Sequence, residues 1–323
     1  MQRKIENRIV RFFEKEKRKA LLVTGARQIG KTYIIRKCIK DCFESAVEIN
    51  LIENENAKKI FSEFKDSKDI LLRLSAIVDI PLIKGKTVIF FDEVQECKEL
   101  VTAIKFLVEE GSYQYVLSGS LLGVELKDIR SVPVGFMEIM EMYPLDFEEF
   151  CIALKEEMII DYIKSCFEKR VPLESGLHEK AMLLFRQYML VGGMPKSVVA
   201  FIEGGKDFET SDSEKRDILE LYRSDIMKIG ARYRSKVLAI FDQIPGFLSG
   251  HEKRVVFKEI GKGSVAEQYE DTFFWLADSM IANECFLCND PNVGLSLNET
   301  RSYVKCYMGD TGLLVSLAFS ENE

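Results

Sequence analysis

The first half of the chain alternates short apolar runs with longer stretches of helical period. "ALLVTG" (20–25), "AVEINL" (46–51), "TVIFFDE" (87–93), "YQYVLSGS" (113–120) and "FMEIMEMYPL" (136–145) predict strands, separated by helices starting at Lys31 and spanning 54–78 and 97–110. Strands alternating with helices at this spacing imply a parallel sheet covered on both faces, so residues 1–145 are expected to form an α/β domain. After Pro144 the pattern turns helical without strands, over 147–169, 177–203 and 214–229, the last opened by the Ser-x-x-Glu form of "SDSE" (211–214). From Ser235 a third pattern begins: a helix to about Leu248, a short one at 256–261, and a helix over 264–281. Ser264 and Glu267 form a capping box there, and Val265, Tyr269, Phe273, Leu276 and Ile281 repeat at helical spacing. The strand-like 281–288 and 302–308 follow, and helices leading into a β-ribbon are the order of a winged helix. The expected domains are 1–145, an all-α segment 146–232 and a winged-helix-like 233–323.

Composition narrows the class. The 323 residues are 47% hydrophobic and 30% charged, ordinary for a globular chain, which sets aside disordered and fibrous classes. No apolar run approaches the roughly 18 residues that span a bilayer, and the N-terminus lacks the apolar core of a signal peptide, so the expected location is cytoplasmic. Eight scattered cysteines fit reduced thiols; Cys285 and Cys288 form a Cys-x-x-Cys, but no second close pair exists and only His178 and His251 are available to complete a zinc site. Residues 1–40 carry 13 Lys and Arg against 3 Asp and Glu; with a total charge of −7, the remainder carries −17. A basic N-terminal helix either meets a polyanion or is a solvated face.

The candidate chemistry lies in "GARQIGKT". Gly25, Ala26, Arg27, Gln28, Ile29, Gly30, Lys31 and Thr32 satisfy G-x-x-x-x-G-K-[ST] between a predicted strand and a predicted helix. The glycines permit a turn that aims successive N–H groups at phosphate oxygens, and the helix beginning near Lys31 directs its positive end at the same place. Lys31 supplies a point charge to the β and γ phosphates, and the Thr32 hydroxyl a Mg²⁺ ligand. Tyr33, next in the helix, joins the expected nucleotide-binding set. A second element supports this reading: "VIFFDE" ends in Asp92 and Glu93, with Asp92 61 residues after Lys31. A carboxylate at the end of a buried strand lies on the sheet edge where open α/β folds bind ligands. Asp92 is expected to hold Mg²⁺ and Glu93 to orient or deprotonate the attacking water; the alternative for Asp92 is a helix cap. Ser118 and Ser120, ending "YVLSGS", are read either as phosphate-sensing residues or as turn formers.

"LLVTGARQIGKT", "VIFFDEVQE", "YVLSGS", "SVPVG" with "MYPLDFEEF", "YMLVGGMP", "LYRSDIMKI" and "CYMGDTGLL", in this order over almost the whole chain, resemble a large family of prokaryotic AAA-type P-loop ATPases of the archaeal and STAND-like branch, described as ATP-binding proteins with a C-terminal domain of unknown function. The resemblance implies ATP rather than GTP, and no Asn-Lys-x-Asp guanine-reading motif occurs in the first domain. It also implies that the helical segment is the AAA lid, in which Gly193-Met194-Pro195 packs Pro195 on the nucleotide; a plain helix break is the competing reading. The family often has a basic residue after "VPVG"-like segments, but Phe136 stands here, leaving Arg130 as a trans-acting arginine or a solvated one. Similar chains continue past "DTGLL" into a nuclease-like domain; this sequence runs eleven residues past Gly312, and no nuclease activity is expected of it.

The winged-helix pattern invites a DNA-binding reading that the charges oppose. Helix 264–280 carries Glu267, Glu270, Asp271 and Asp278 and no Lys or Arg, and residues 235–320 hold 7 basic against 11 acidic side chains. The basic loop "HEKRVVFK" (251–258) is a backbone contact or a solvated loop, and Phe273, Phe274 and Trp275 fit core better than a base-stacking platform. The expected function is Mg²⁺-dependent ATP binding and hydrolysis that switches the lid and winged helix toward a macromolecular partner, an unidentified protein. The alternatives are a nucleotide-gated binding protein with negligible turnover and an ATP-dependent DNA-processing factor; no membrane partner is expected and the oligomeric state is open.

Overall fold

The computed structural model describes residues 1–15, 18–120, 135–260, 268–290, 292 and 294–319. Two compact units divide the chain, one over Gln2–Tyr143 and the other over Pro144 onward together with Met1.

In the first unit, α1 (Lys4–Lys15) buries Ile5, Ile9, Phe12 and Phe13 at helical spacing and packs on α2 (Lys31–Cys42). Five parallel strands, β1 (Ala20–Thr24), β2 (Ser45–Asn50), β3 (Thr87–Asp92), β4 (Gln114–Gly119) and β5 (Met137–Glu141), form one sheet in the order β2-β3-β4-β1-β5. Every residue of β3 is buried, which is why its centre, Val88 to Phe91, is a continuous apolar run. The predicted helix 54–78 is two helices, α3 (Glu55–Ser62) and α4 (Ser67–Ile77), because the Asp66 side chain accepts from Asp69 N and starts a new helix. With α5 (Lys98–Glu110) they cover one sheet face, where Phe61 and Phe91 meet edge to face at 5.5 Å. Registers Val23↔Ser118 and Phe91↔Leu117 bring the ends of β1, β3 and β4 to the same edge, with β4 in the middle. Phe136 packs against this core under the Lys105 ammonium, 5.4 Å from its ring.

The second unit holds α6 (Phe147–Ala153), α7 (Glu157–Lys169), α8 (Ser175–Val191), α9 (Pro195–Glu203), α10 (Phe208–Met227), α11 (Ala231–Ser249), α12 (Phe257–Ile260), α13 (Glu270–Asp278), an antiparallel ribbon of β6 (Ala282–Cys288) and β7 (Glu299–Met308), and α14 (Thr311–Ala318). The "SDSE" cap is a misreading: α10 starts earlier, where the Asp207 side chain accepts from Glu209 N and Thr210 N, and Ser211 is buried against the Ser197 hydroxyl at 2.8 Å. The reciprocal capping box belongs instead to Asp146 and Glu149 at the start of α6.

The predicted helix 177–203 breaks at Gly192 and Gly193 for a packing reason. A Cβ on Gly193 would stand 2.0 Å from Leu145 O, and Gly193 N donates to Asp310 Oδ2 at 2.6 Å. Asp310 also accepts from Leu313 N at 2.9 Å, capping α14, which packs on α8 and α10. The separated stretches "GGMP" and "GDTG" are thus one buried junction, where burial raises the Asp310 carboxyl above the usual carboxylate range. Phe273 and Trp275 are buried, as expected of core, but Phe274 is 42% exposed. The Ser264 and Glu267 capping box, Val265 and Arg130 lie outside the described residues. All eight cysteines are free, and among the described residues no helix is long and apolar enough to cross a membrane.

Candidate functional site

The loop 25–30 joins the end of β1 to the start of α2, and its backbone turns where the sequence placed the glycines. Gly30 has φ 87°, and a Cβ on Gly25 would stand 2.3 Å from Met142 O and 2.4 Å from Ile29 Cδ1. Gln28 also adopts a left-handed conformation, φ 66°, and no side chain caps the first turn of α2, whose N–H groups stay available to an anion.

The Lys31 side chain is buried and folds back on the loop, its Nζ donating to Gly25 O at 3.0 Å and Ala26 O at 2.9 Å. Burial lowers its pKa to about 8, and the attraction of Glu93 and Asp92 only partly opposes this. A buried ammonium satisfied by two carbonyls lacks the negative charge that would repay its desolvation.

Across the sheet edge, Thr32 Oγ1 donates to Asp92 Oδ2 at 2.9 Å, and the fully buried Ser118 donates its hydroxyl to Asp92 Oδ1. Asp92 caps no helix, because the following 3₁₀ turn, Val94–Glu96, begins at Glu93 without a side-chain cap. Ser118 lies within β4, so it is not a turn former, and its partner is the carboxylate of Asp92. Glu93 sits in the left-handed region, φ 59° and ψ 52°, a conformation costing about 1–3 kcal/mol for a residue other than glycine, and it turns away from the line of the strand.

Two residues outside the sequence reading hold this arrangement. Gln95, almost fully buried, donates to the Glu93 carboxylate while its Oε1 accepts Ser120 N at 3.2 Å. Ser120 Oγ, just past the end of β4, in turn accepts from Arg27 Nε at 3.4 Å, linking Arg27 of the loop to the Glu93 carboxylate through Gln95. Arg3, 5% exposed, donates to Ile29 O at 3.2 Å and Tyr143 O at 2.6 Å, tying the loop to the exit of β5. Glu6 receives Arg3 N through Oε1 at 2.6 Å and Lys37 Nζ through Oε2 at 2.5 Å. The basic N-terminus, read as a solvated face or a polyanion contact, therefore contributes one buried structural cation.

Ala26 and Ile29 are buried, whereas Tyr33 is 60% exposed on the third position of α2. Pro195 opens α9 in the second unit. The edge thus gathers a lysine, a hydroxyl paired with a carboxylate, and a second carboxylate held by an amide. These are the groups that bind a polyphosphate with a hard cation and place a water against it.

Residues 17–151 match the family described as AAA domain, and residues 182–323 match a domain of unknown function, DUF8612. No curated protein sequence matches the chain. Among solved structures, Cdc6p from Pyrobaculum aerophilum is similar at 12% identity and TM-score 0.36, covering 98% of this chain and 93% of that one. PCH-2 from C. elegans is similar at 14% identity and TM-score 0.30, covering 53% of this chain and 50% of that one, so the likeness spans half of PCH-2.

Proposed function

We propose that the chain binds ATP with Mg²⁺ at the loop 25–32 and hydrolyses it, and that nucleotide state changes the conformation of its second unit toward a protein partner. The observation that carries the reading is the Thr32–Asp92–Ser118 arrangement, a hydroxyl and a carboxylate in contact at 2.9 Å beside a buried lysine. Hard oxygen donors are what Mg²⁺ takes, and Thr32 and Asp92 would hold it. The cation would neutralise charge on the β and γ phosphates as the terminal phosphoryl leaves. Lys31 exchanges its two carbonyl partners for phosphate oxygens, and Ser118 fixes the orientation of Asp92. Glu93 orients the attacking water and receives its proton, while Gln95 sets where its carboxylate stands. The exposed Tyr33 ring is available to the adenosine moiety.

We further propose an AAA core over 1–145, a lid over 146–232 with Pro195 against the nucleotide, and a winged-helix-like part over 233–323. The acidic α13, with Glu270, Asp271 and Asp278, makes DNA the less favoured partner of that part. A second reading, nucleotide-gated binding with negligible turnover, is favoured by the Glu93–Gln95 contact, which occupies the carboxylate needed for water activation.

The test is phosphate release from Mg²⁺-ATP by the parent chain, Lys31→Ala and Glu93→Gln, with and without duplex DNA. Turnover lost in both variants supports hydrolysis, and turnover surviving Lys31→Ala removes it. Tight ATP binding with no product over hours, unchanged by Glu93→Gln, selects the gated reading.

A further inference from the structure

In the second unit, β6 lays one face over α13, and beside the two elements lies a pocket of about 250 Å³. Four phenylalanines line it: Phe257 of α12, Phe273 and Phe274 of α13, and Phe286 of β6. Phe257 and Phe273 meet edge to face at 6.1 Å, and Phe274 is 42% exposed. The remaining lining residues are all charged: Glu270, Glu284, Glu299 and Arg301.

Three carboxylates face one cation in this small space. Arg301 Nη1 stands 3.9 Å from Glu270 Oε1, a loose, solvent-exposed pair that leaves Glu284 and Glu299 in excess. Glu284 Oε1 is shielded from solvent and has no hydrogen-bond partner among the described residues. A carboxylate in that position costs free energy unless a cation or donor is supplied. Burial accordingly pushes the Glu284 carboxyl up to about 7, with Asp278 adding to the rise and Arg301 opposing it. Aromatic rings present a negative face to cations, and the attraction strengthens where the contact is shielded from water. Rings and carboxylates together select one chemistry: a cation with apolar substituents.

We propose that this pocket binds an organic cation, an alkylammonium or guanidinium group, caged by Phe257, Phe273, Phe274 and Phe286 and paired with Glu284 and Glu299. The inference is independent of the nucleotide site. The cation comes either from a free amine or from a Lys or Arg side chain of a partner, and the two sources are separable by experiment.

Trp275, the only tryptophan of the chain, lies buried on α13, the helix that carries Phe273 and Phe274, and its emission is followed beside a direct calorimetric readout. The full-length protein is titrated with butylammonium and with butanol, its neutral counterpart, followed by Trp275 emission and calorimetry. The expected result is saturable binding of butylammonium, at least about tenfold tighter than butanol, since one charge contact of 1.4 kcal/mol is a factor of ten. Glu284→Gln, which keeps the shape, and Phe274→Leu, which removes an exposed ring, should each weaken the ammonium about tenfold without lowering the melting temperature. Spermidine and a capped five-residue peptide with a central lysine then separate the sources: tighter binding of the first assigns a free amine, tighter binding of the second a partner side chain. Equal binding of butanol and butylammonium, no saturation with either, or an unchanged response in both variants would overturn the proposal.

Discussion

At Lys31 the proposed nucleotide site and a stable fold make opposite demands, so replacing it should shift stability in opposite directions with and without ligand. In the nucleotide-free protein the ammonium is 8% exposed, has Gly25 O and Ala26 O as its hydrogen-bond partners among the described residues, and has its pKa lowered from 10.5 to about 8. At about 1.4 kcal/mol per unit, carrying that charge costs the folded state up to about 3 kcal/mol at pH 7. Lys31→Met keeps the stem and removes the charge. The nucleotide-free variant should be more stable than the parent by about 1–3 kcal/mol, the lower figure allowing for the two carbonyls it leaves unpaired. For a unit of this size that is a rise of several degrees in melting temperature, about 2–4 °C per kcal/mol. In the parent alone, the unfolded chain holds more protons than the folded one between about pH 8 and 10.5, so stability should climb with pH across that window and the variant should lack the climb. Saturating Mg²⁺-ATP should raise the melting temperature of the parent and leave that of the variant unchanged, because ligand stabilisation scales with affinity. Thermal scans at pH 7 and pH 9.5, with and without Mg²⁺-ATP, make the check. A nucleotide-free variant less stable than the parent, or one still stabilised by Mg²⁺-ATP, would refute the reasoning.

Arg3→Met leaves Ile29 O and Tyr143 O without their buried donor, so it should cost about 1–3 kcal/mol in denaturant unfolding and weaken nucleotide binding with Lys31 intact. Gly193→Ala forces a Cβ to 2.0 Å from Leu145 O and should destabilise by about 2 kcal/mol or more, whereas Gly176→Ala, with open space around it, should cost little. The folded-state pKa of Glu284 is raised from 4.5 to about 7, so its proton is held more tightly in the folded chain; stability should fall as pH rises from about 4.5 to about 7, and a pH series of melting temperatures on Glu284→Gln should lack that fall. Ser118→Ala, which removes a donor to Asp92, should weaken the Mg²⁺ dependence of ATP binding more than nucleotide binding without metal, read by calorimetry with and without chelator.

The sheet was legible because its strands are buried in ways that write themselves into composition. β3 is apolar from Val88 to Phe91, and the loop after β1 carries glycines that its backbone uses. The break between α3 and α4 was harder to read, since it depends on one side chain, Asp66, competing locally with helix continuation. The start of α10 was misread because "SDSE" and Asp207 both satisfy capping chemistry, and burial of Ser211 against Ser197 decides between them. Arg3 and Gln95 escaped notice for a different reason. Arg3 reaches carbonyls 26 and 140 residues away, and Gln95 joins Glu93 to the backbone amide of Ser120, just past β4. Backbone partners leave no residue-type signal. The same holds for Gly193 and Asp310, which sit in separate stretches and meet only in the fold.

The function proposed for the edge formed by β1, β3 and β4 is to hold Mg²⁺-ATP and cleave it. Steady-state phosphate release by the parent chain beside Glu93→Gln, with ATP binding measured on the same samples, tests it most directly. Turnover is expected in the parent and its loss in Glu93→Gln, with binding retained. Equal turnover in the two proteins, or no ATP binding by the parent, would contradict it.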